Sequence, residues 1–129
     1  EIGDYKYYNM MKERIKKFQI QKEFLIVNEK IPLYPILRRV HIFLRSTSTD
    51  SYGVSIAEAI YFKVPSIASN VCNRPEGTIL FKSRDINDLY SKTVDVIENY
   101  SCYKNKLKNI RIEDNAKKIL DVYKEIMGT

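Results

Sequence analysis

Thr49-Asp50-Ser51-Tyr52-Gly53-Val54-Ser55-Ile56-Ala57-Glu58-Ala59 decides how this chain is read. Two carboxylates, Asp50 and Glu58, flank a small turn that contains Gly53 and runs into an apolar helical pattern. An apolar, β-favouring run, His41-Ile42-Phe43-Leu44, stands before it, and Val64-Pro65-Ser66-Ile67-Ala68-Ser69 stands after it. Strand, polar loop, helix and strand make a βαβ unit. The loop that leaves a parallel strand is where such folds bind ligands. The helix that starts there offers free N–H groups and the positive end of its dipole to an anion, typically a phosphate.

Outward from this unit the pattern continues. Asp4 is placed to cap a helix over Tyr5 to Phe18, with Tyr8, Met11, Ile15 and Phe18 at helical spacing. Phe24-Leu25-Ile26-Val27 is short, apolar and β-favouring, and predicts a buried strand. Pro32 and Pro35 bracket a short helical stretch through Arg39. Strands are expected over Ile42–Arg45, Pro65–Ser69 and Thr78–Phe81, and a helix over Gly53–Phe62. Asp85 opens a helix whose apolar stripe is Ile86, Leu89, Tyr90, Val94 and Ile97. A short helix follows over Cys102–Leu107, and the last helix carries Ala116, Ile119, Leu120, Tyr123, Ile126 and Met127 on one face. Alternating strands and helices predict an α/β fold, a Rossmann-like parallel sheet flanked by helices.

Length and composition bound the function. A chain of 129 residues, 44% hydrophobic and 29% charged, reads as one globular domain spanning 1–129. No apolar run is long enough to cross a bilayer and no secretory signal opens the sequence. Cys72 and Cys102 lack metal-ligand spacing and read as two free thiols of a cytoplasmic protein. The opening Glu1-Ile2-Gly3-Asp4 has neither a starting methionine nor a first strand. An N-terminally truncated domain is therefore expected, with an exposed sheet edge or apolar face and a tendency to self-associate.

The net charge of +6 is spread over the first helix (Lys12, Arg14, Lys16, Lys17) and the C-terminal third. Solvated helix faces account for it. The alternative is attraction to a polyanion, either nucleic acid or an anionic membrane surface. The aromatic residues fall at helical spacing among aliphatics, which speaks for packing over base stacking. His41, the one histidine, lies in an expected strand and has no metal partners nearby in sequence; its role reads as structural. Asp85 and Asp88 read as cap and dipole residues, and no cluster has the ligand count of a metal site.

Val40 to Ser46, Asp50 to Ala59, Val64 to Val71 and Arg74-Pro75-Glu76-Gly77 together resemble the C-terminal domain of GT-B-fold retaining glycosyltransferases. These are the group 1 enzymes of polysaccharide and lipopolysaccharide assembly, whose hallmark is an acid pair in the arrangement E-x7-E. The resemblance covers Val40 to Ile97 and is compatible with the last helix. It implies that the chain is the nucleotide-sugar-binding half of a two-domain enzyme, with the N-terminal acceptor domain missing. Glu58 would accept hydrogen bonds from the ribose hydroxyls, its other reading being a surface or dipole-pairing acid, and Asp50 would be the catalytic-site residue that contacts the donor sugar, its other reading being a helix cap or turn stabiliser. Ser51, Tyr52, Gly53, Val54 and Ser55 would line the diphosphate; Arg45, at the strand end facing the same edge, reads either as a phosphate contact or as the partner of an acid.

Three departures bear on this. Asp50 stands where the family has Glu, so its carboxylate reaches one methylene less. Ser51 stands where many members have Gly. Most of the family's diphosphate-binding basic residues lie on a segment earlier than this chain begins. The resemblance implies no metal and no bound cofactor; the donor is a nucleoside-diphosphate sugar and the acceptor a saccharide or lipid-linked hydroxyl. Peripheral attachment to an anionic membrane is the matching location. A GT-B sugar-nucleotide epimerase shares the architecture, and a non-catalytic basic module for nucleic acid is the reading from a different class. Arg74-Pro75-Glu76-Gly77 reads first as turn architecture, with a ligand contact as the second reading.

Overall fold

The computed structural model describes residues 3–110 and 115–128; the opening Glu1-Ile2 lies outside them. The chain divides between Pro32 and Leu33 into two compact units.

The first unit is built on α1, Tyr5–Lys17. The Asp4 side chain accepts from the Tyr7 N–H at 2.9 Å and so satisfies a donor that the first turn leaves free. Arg14, Lys16 and Lys17 sit in the last turn, where the helix dipole favours cations. Gln19, with φ at 56°, turns the chain out of the helix. The strand expected at Phe24–Val27 does not form. The segment belongs to no sheet, and Leu25 is 85% exposed. The physical reason is that β-favouring residues specify a strand only where a neighbouring ladder and a packed face receive them. Among the described residues, nothing pairs with this run.

In the second unit the expected order appears. It runs α2 (Tyr34–Leu37), β1 (Phe43–Arg45), α3 (Val54–Tyr61), β2 (Ser66–Ser69), β3 (Ile79–Phe81), α4 (Ile86–Glu98), α5 (Tyr100–Lys108) and α6 (Asn115–Met127). The strands form an open parallel sheet in the order β1-β2-β3. Leu44 is in register with Ile67, and Ile67 with Ile79. Parallel neighbours need a crossover, which α3 supplies between β1 and β2. β2 is the middle strand and is buried at every position, which explains its continuous apolar-and-small run. Its side chains alternate between two layers. Ala68 packs with Ile56, Ile60 and Leu107, while Ile67 packs with Phe81 and Val96. Leu37, Ala59 and Val64 form a third cluster. The architecture is α/β and compatible with a Rossmann-like arrangement.

One further expectation is corrected. His41 precedes β1 instead of lying in it; it is exposed and meets the Tyr100 ring edge-on at 5.9 Å. The apolar stripe of α6 forms as a helix face but stays open, with Ile126 77% exposed. Among the described residues no helix is long and apolar enough to cross a membrane.

Candidate functional site

The site lies where β1 ends and α3 begins. Parallel strands all present their C-terminal ends to one edge, so the β1–α3 turn shares that edge with the residues that follow β2 and β3. Gly53 is the N-cap of α3, with φ at +86°, a left-handed conformation that glycine adopts without steric cost. A Cβ at this position would stand 2.7 Å from Ile56 Cδ1 and 3.2 Å from Arg74 Nη1. No side chain caps α3. Ile56 and Ala57 donate back to the Gly53 carbonyl, but the N–H groups of the first turn before them have no partner among the described residues.

Asp50 is the centre of a charged cluster in this turn. Its side chain is 7% exposed, and both oxygens are engaged. Oδ1 accepts from Arg45 Nη2 at 2.8 Å and from the Ser51 N–H at 2.9 Å. Oδ2 accepts from Arg45 Nε, from Arg74 Nη1 at 2.7 Å and from Thr47 Oγ1 at 2.9 Å. Hydrogen bonds from Arg45, then from Arg74, hold this carboxyl far below the usual carboxylate range, with Thr47 and Ser51 adding to the effect. The pairing with Asp50 in turn raises Arg45. Two guanidinium groups against one carboxylate leave the cluster with one positive charge in excess.

Arg45 grips Asp50 in the bidentate fashion that suits a planar guanidinium. Its Nη1 also donates to Ser55 Oγ at 3.1 Å, which brings it to the first turn of α3. Its side chain remains 33% exposed. Nη1 and Nη2 each retain one N–H with no partner among the described residues.

The sequence reading placed Arg74 in a turn, with a ligand contact as the second reading. The turn exists: Thr78 donates to the Pro75 carbonyl through both N and Oγ1, and Gly77 has φ at +86°. Yet the Arg74 side chain, 1% exposed, reaches back across the end of β2. Nε donates to the Ser69 carbonyl at 3.0 Å and Nη2 to Ser69 Oγ at 3.1 Å. Nη1 donates to Asp50 and, at 3.0 Å, to the Ser51 carbonyl. Ser69 Oγ donates to the Thr47 carbonyl at 2.6 Å, which ties β2 to the same loop. The one hint in the sequence was a lone arginine among small and polar residues between two expected strands. Cys72 closes the arrangement by donating from Sγ to the Ser51 carbonyl at 3.0 Å.

The remaining candidates are exposed or backbone-facing. Ser51, Tyr52 and Val54 are exposed, Ser55 is half-buried against Arg45, and Gly53 is buried. Glu58 lies one helical turn after Ser55 on α3, on the solvent side of the buried stripe Ile56, Ala59 and Ile60. It makes no side-chain hydrogen bond or ion pair among the described residues. The structure thus brings Asp50, Arg45 and Ser55 into one hydrogen-bonded cluster and leaves Glu58 outside it, exposed further along α3. A shallow depression of about 180 Å³ opens at the same sheet edge, between Ser46, Phe81 and the start of α4. Asp85 caps α4 by accepting from the N–H groups of Asn87 and Asp88, both at 3.1 Å, and Asp88 accepts from the Lys82 N–H at 2.6 Å. Both acids serve the helix start, as expected. No group of three or more metal-ligating side chains occurs among the described residues.

Comparison with protein-family models and with curated protein sequences gives no match.

Proposed function

We propose that this chain is the nucleotide-sugar-binding portion of a GT-B-type glycosyltransferase, moving a glycosyl group from a nucleoside diphosphate to an acceptor hydroxyl. The observation that carries this reading is the Arg45 guanidinium bonded to Ser55 at the uncapped first turn of α3, with Glu58 exposed one turn further on. A diphosphate asks for N–H donors and a cation; a ribose diol asks for a carboxylate acceptor. Both sets of groups occur on one strand–turn–helix unit. In the transfer step the diphosphate leaves, so fixed donors that meet its growing charge lower the barrier.

In this reading the amides near Tyr52 to Ser55 and the Arg45 side chain hold the diphosphate, and Glu58 holds the ribose. The acceptor and the groups that bind it belong to a separate acceptor domain, and the chain by itself is inactive or nearly so. Attachment to an anionic membrane surface fits an enzyme with a lipid-linked acceptor and a net charge of +6.

Titration calorimetry with the diphosphates and monophosphates of uridine, guanosine and adenosine tests the proposal. One base series should bind, the diphosphate more tightly than the monophosphate. Glu58→Ala should weaken that diphosphate by about tenfold, the worth of a charged hydrogen bond to a partly desolvated hydroxyl. No binding by any of the six, together with tight and steeply salt-dependent binding to duplex DNA, would replace this reading with that of a basic nucleic-acid module.

A further inference from the structure

The Arg74 guanidinium is almost wholly withdrawn from water. A charge is held there only against a full set of acceptors. Arg74 has them on two separate segments: Ser69 at the end of β2, and Asp50 and Ser51 in the turn before α3. The two bonds to Ser69 fix the guanidinium to the middle strand, the most buried element of the sheet. The two bonds to the turn then fix Asp50.

Asp50 Oδ2 is shared between Arg74 and Arg45. Without Arg74, the donors to Asp50 are Arg45, Thr47 and Ser51, all of the same strand end and loop, so that loop and its one-third-exposed arginine would be free to move together. Arg74 removes that freedom.

We propose that Arg74 is a positioning residue: through Asp50 it holds the Arg45 guanidinium against Ser55, with the unpaired N–H groups of Nη1 and Nη2 directed to an incoming diphosphate. This rests on the nucleotide-sugar reading and names the cation of that site. Asp50, on this account, acts through the arginines it orients, and its carboxylate does not touch the sugar. A pre-oriented guanidinium loses little freedom when it meets phosphate oxygens, which favours a forked contact over that of a mobile lysine.

The test uses the full chain, labelled with ¹⁵N, and inorganic pyrophosphate as a probe that carries no base or sugar. In the wild type the Arg45 Nε–H resonance should shift on titration and the Arg74 Nε–H resonance should remain protected from exchange. Arg45→Gln should lower pyrophosphate affinity about tenfold. Arg74→Lys keeps the charge but cannot span Ser69 and Asp50 together. It should lower affinity at least threefold and broaden the Arg45 Nε–H signal at temperatures where the fold is intact. If Arg74 merely props the loop, this variant melts earlier but retains wild-type affinity and a sharp Arg45 signal, and the proposal falls.

Should Arg74→Lys fail to fold, Ser69→Ala decides. It removes the bond to Nη2 and the tie to Thr47, and should reproduce the broadened signal with about a twofold loss; wild-type behaviour there overturns the proposal. Nucleoside diphosphate binding that leaves the Arg45 signal unmoved overturns this role while the nucleotide reading stands. A wild type that binds neither pyrophosphate nor any nucleoside diphosphate overturns both.

Discussion

Asp50 and Glu58 are both acids on one strand–turn–helix unit, and the structure treats them in opposite ways. The turn that holds Asp50 is packed with hydrogen bonds, and its carboxylate is spent on Arg45, Arg74, Thr47 and Ser51. The helix face that holds Glu58 is open, and its carboxylate has no partner among the described residues. An acid with every lone pair committed is part of a scaffold. An exposed acid without a partner, on the helix that leaves that turn, keeps its lone pairs uncommitted. Spacing in a sequence does not separate the two; the bonds from Arg45, Thr47 and Ser51 do, and so does an arginine from elsewhere in the chain, Arg74.

Removing that arginine should break the comparison most severely. Arg74→Met leaves Asp50 with a single cationic partner and strips the Ser69 and Ser51 carbonyls of their donors. Loss of one partner from a buried ion pair is worth about 3 kcal/mol. Chemical denaturation should show a loss of that order, with the midpoint shifted and the slope unchanged. Next in size is Gly53→Ala. The backbone there is left-handed, and the new Cβ would press on Ile56 and on the Arg74 guanidinium. A cost of about 1–2 kcal/mol is expected. In contrast with a helix-interior glycine, where alanine stabilises, the sign here is destabilising, and thermal melts read it directly.

The same contrast of local pattern and distant partner explains how far the fold was legible. The unit from Ile42 to Ser69 could be read because each element is short, bounded by Gly, Pro or polar residues, and supported by its neighbours. The cap residues Asp4 and Asp85 were legible for a related reason: their partners lie within four residues. Phe24–Val27 has as good a strand composition as Val64–Ser69, yet only the latter acquires a ladder on each side. Strand identity is conferred by those neighbours, and composition does not report them. Arg74 failed to stand out because its partners are 5 and more than 20 residues away, beyond the reach of any local pattern. The polar, Gly-containing turn was visible; the left-handed backbone of Gly53 and the bonds that make the turn rigid were not.

Acid should sharpen the difference between the two carboxylates. Asp50 is held below the ordinary carboxylate range by Arg45 first and Arg74 second. Its unfolded-state value is about 3.9. A group depressed by folding contributes stability above the unfolded value. As pH falls below about 4, the unfolded chain takes up a proton that the folded chain refuses, and stability declines toward the folded value. Asp50→Asn should therefore be less stable than the wild type at neutral pH, and its stability should fall less steeply below pH ~4. Asp95, depressed by the Tyr103 hydroxyl and by Asn99, gives a second acid-sensitive contribution that remains in both proteins. An acid limb identical in slope for the variant and the wild type would show that Asp50 is not tied down in solution.

Glu58→Gln should have the smallest effect on the fold and isolates function from it. The side chain is exposed and makes no hydrogen bond or ion pair among the described residues, so its replacement removes no native contact. Surface changes of this kind fall within about 0.5 kcal/mol of zero. Glutamine preserves the volume and the helix propensity of the site, and one carbonyl acceptor remains. What disappears is the charge. A ribose diol donating to an ionised carboxylate makes stronger bonds than one donating to an amide. Nucleoside diphosphate affinity should therefore drop while the melting temperature stays where it was. Pyrophosphate, which has no ribose, should bind the variant at least as well as the wild type, because a negative charge has been removed from its surroundings. An equal loss for pyrophosphate and nucleoside diphosphate would mean that Glu58 supports the turn and not the sugar. The contrast between a structural Asp50 and a free Glu58 would then have to be abandoned.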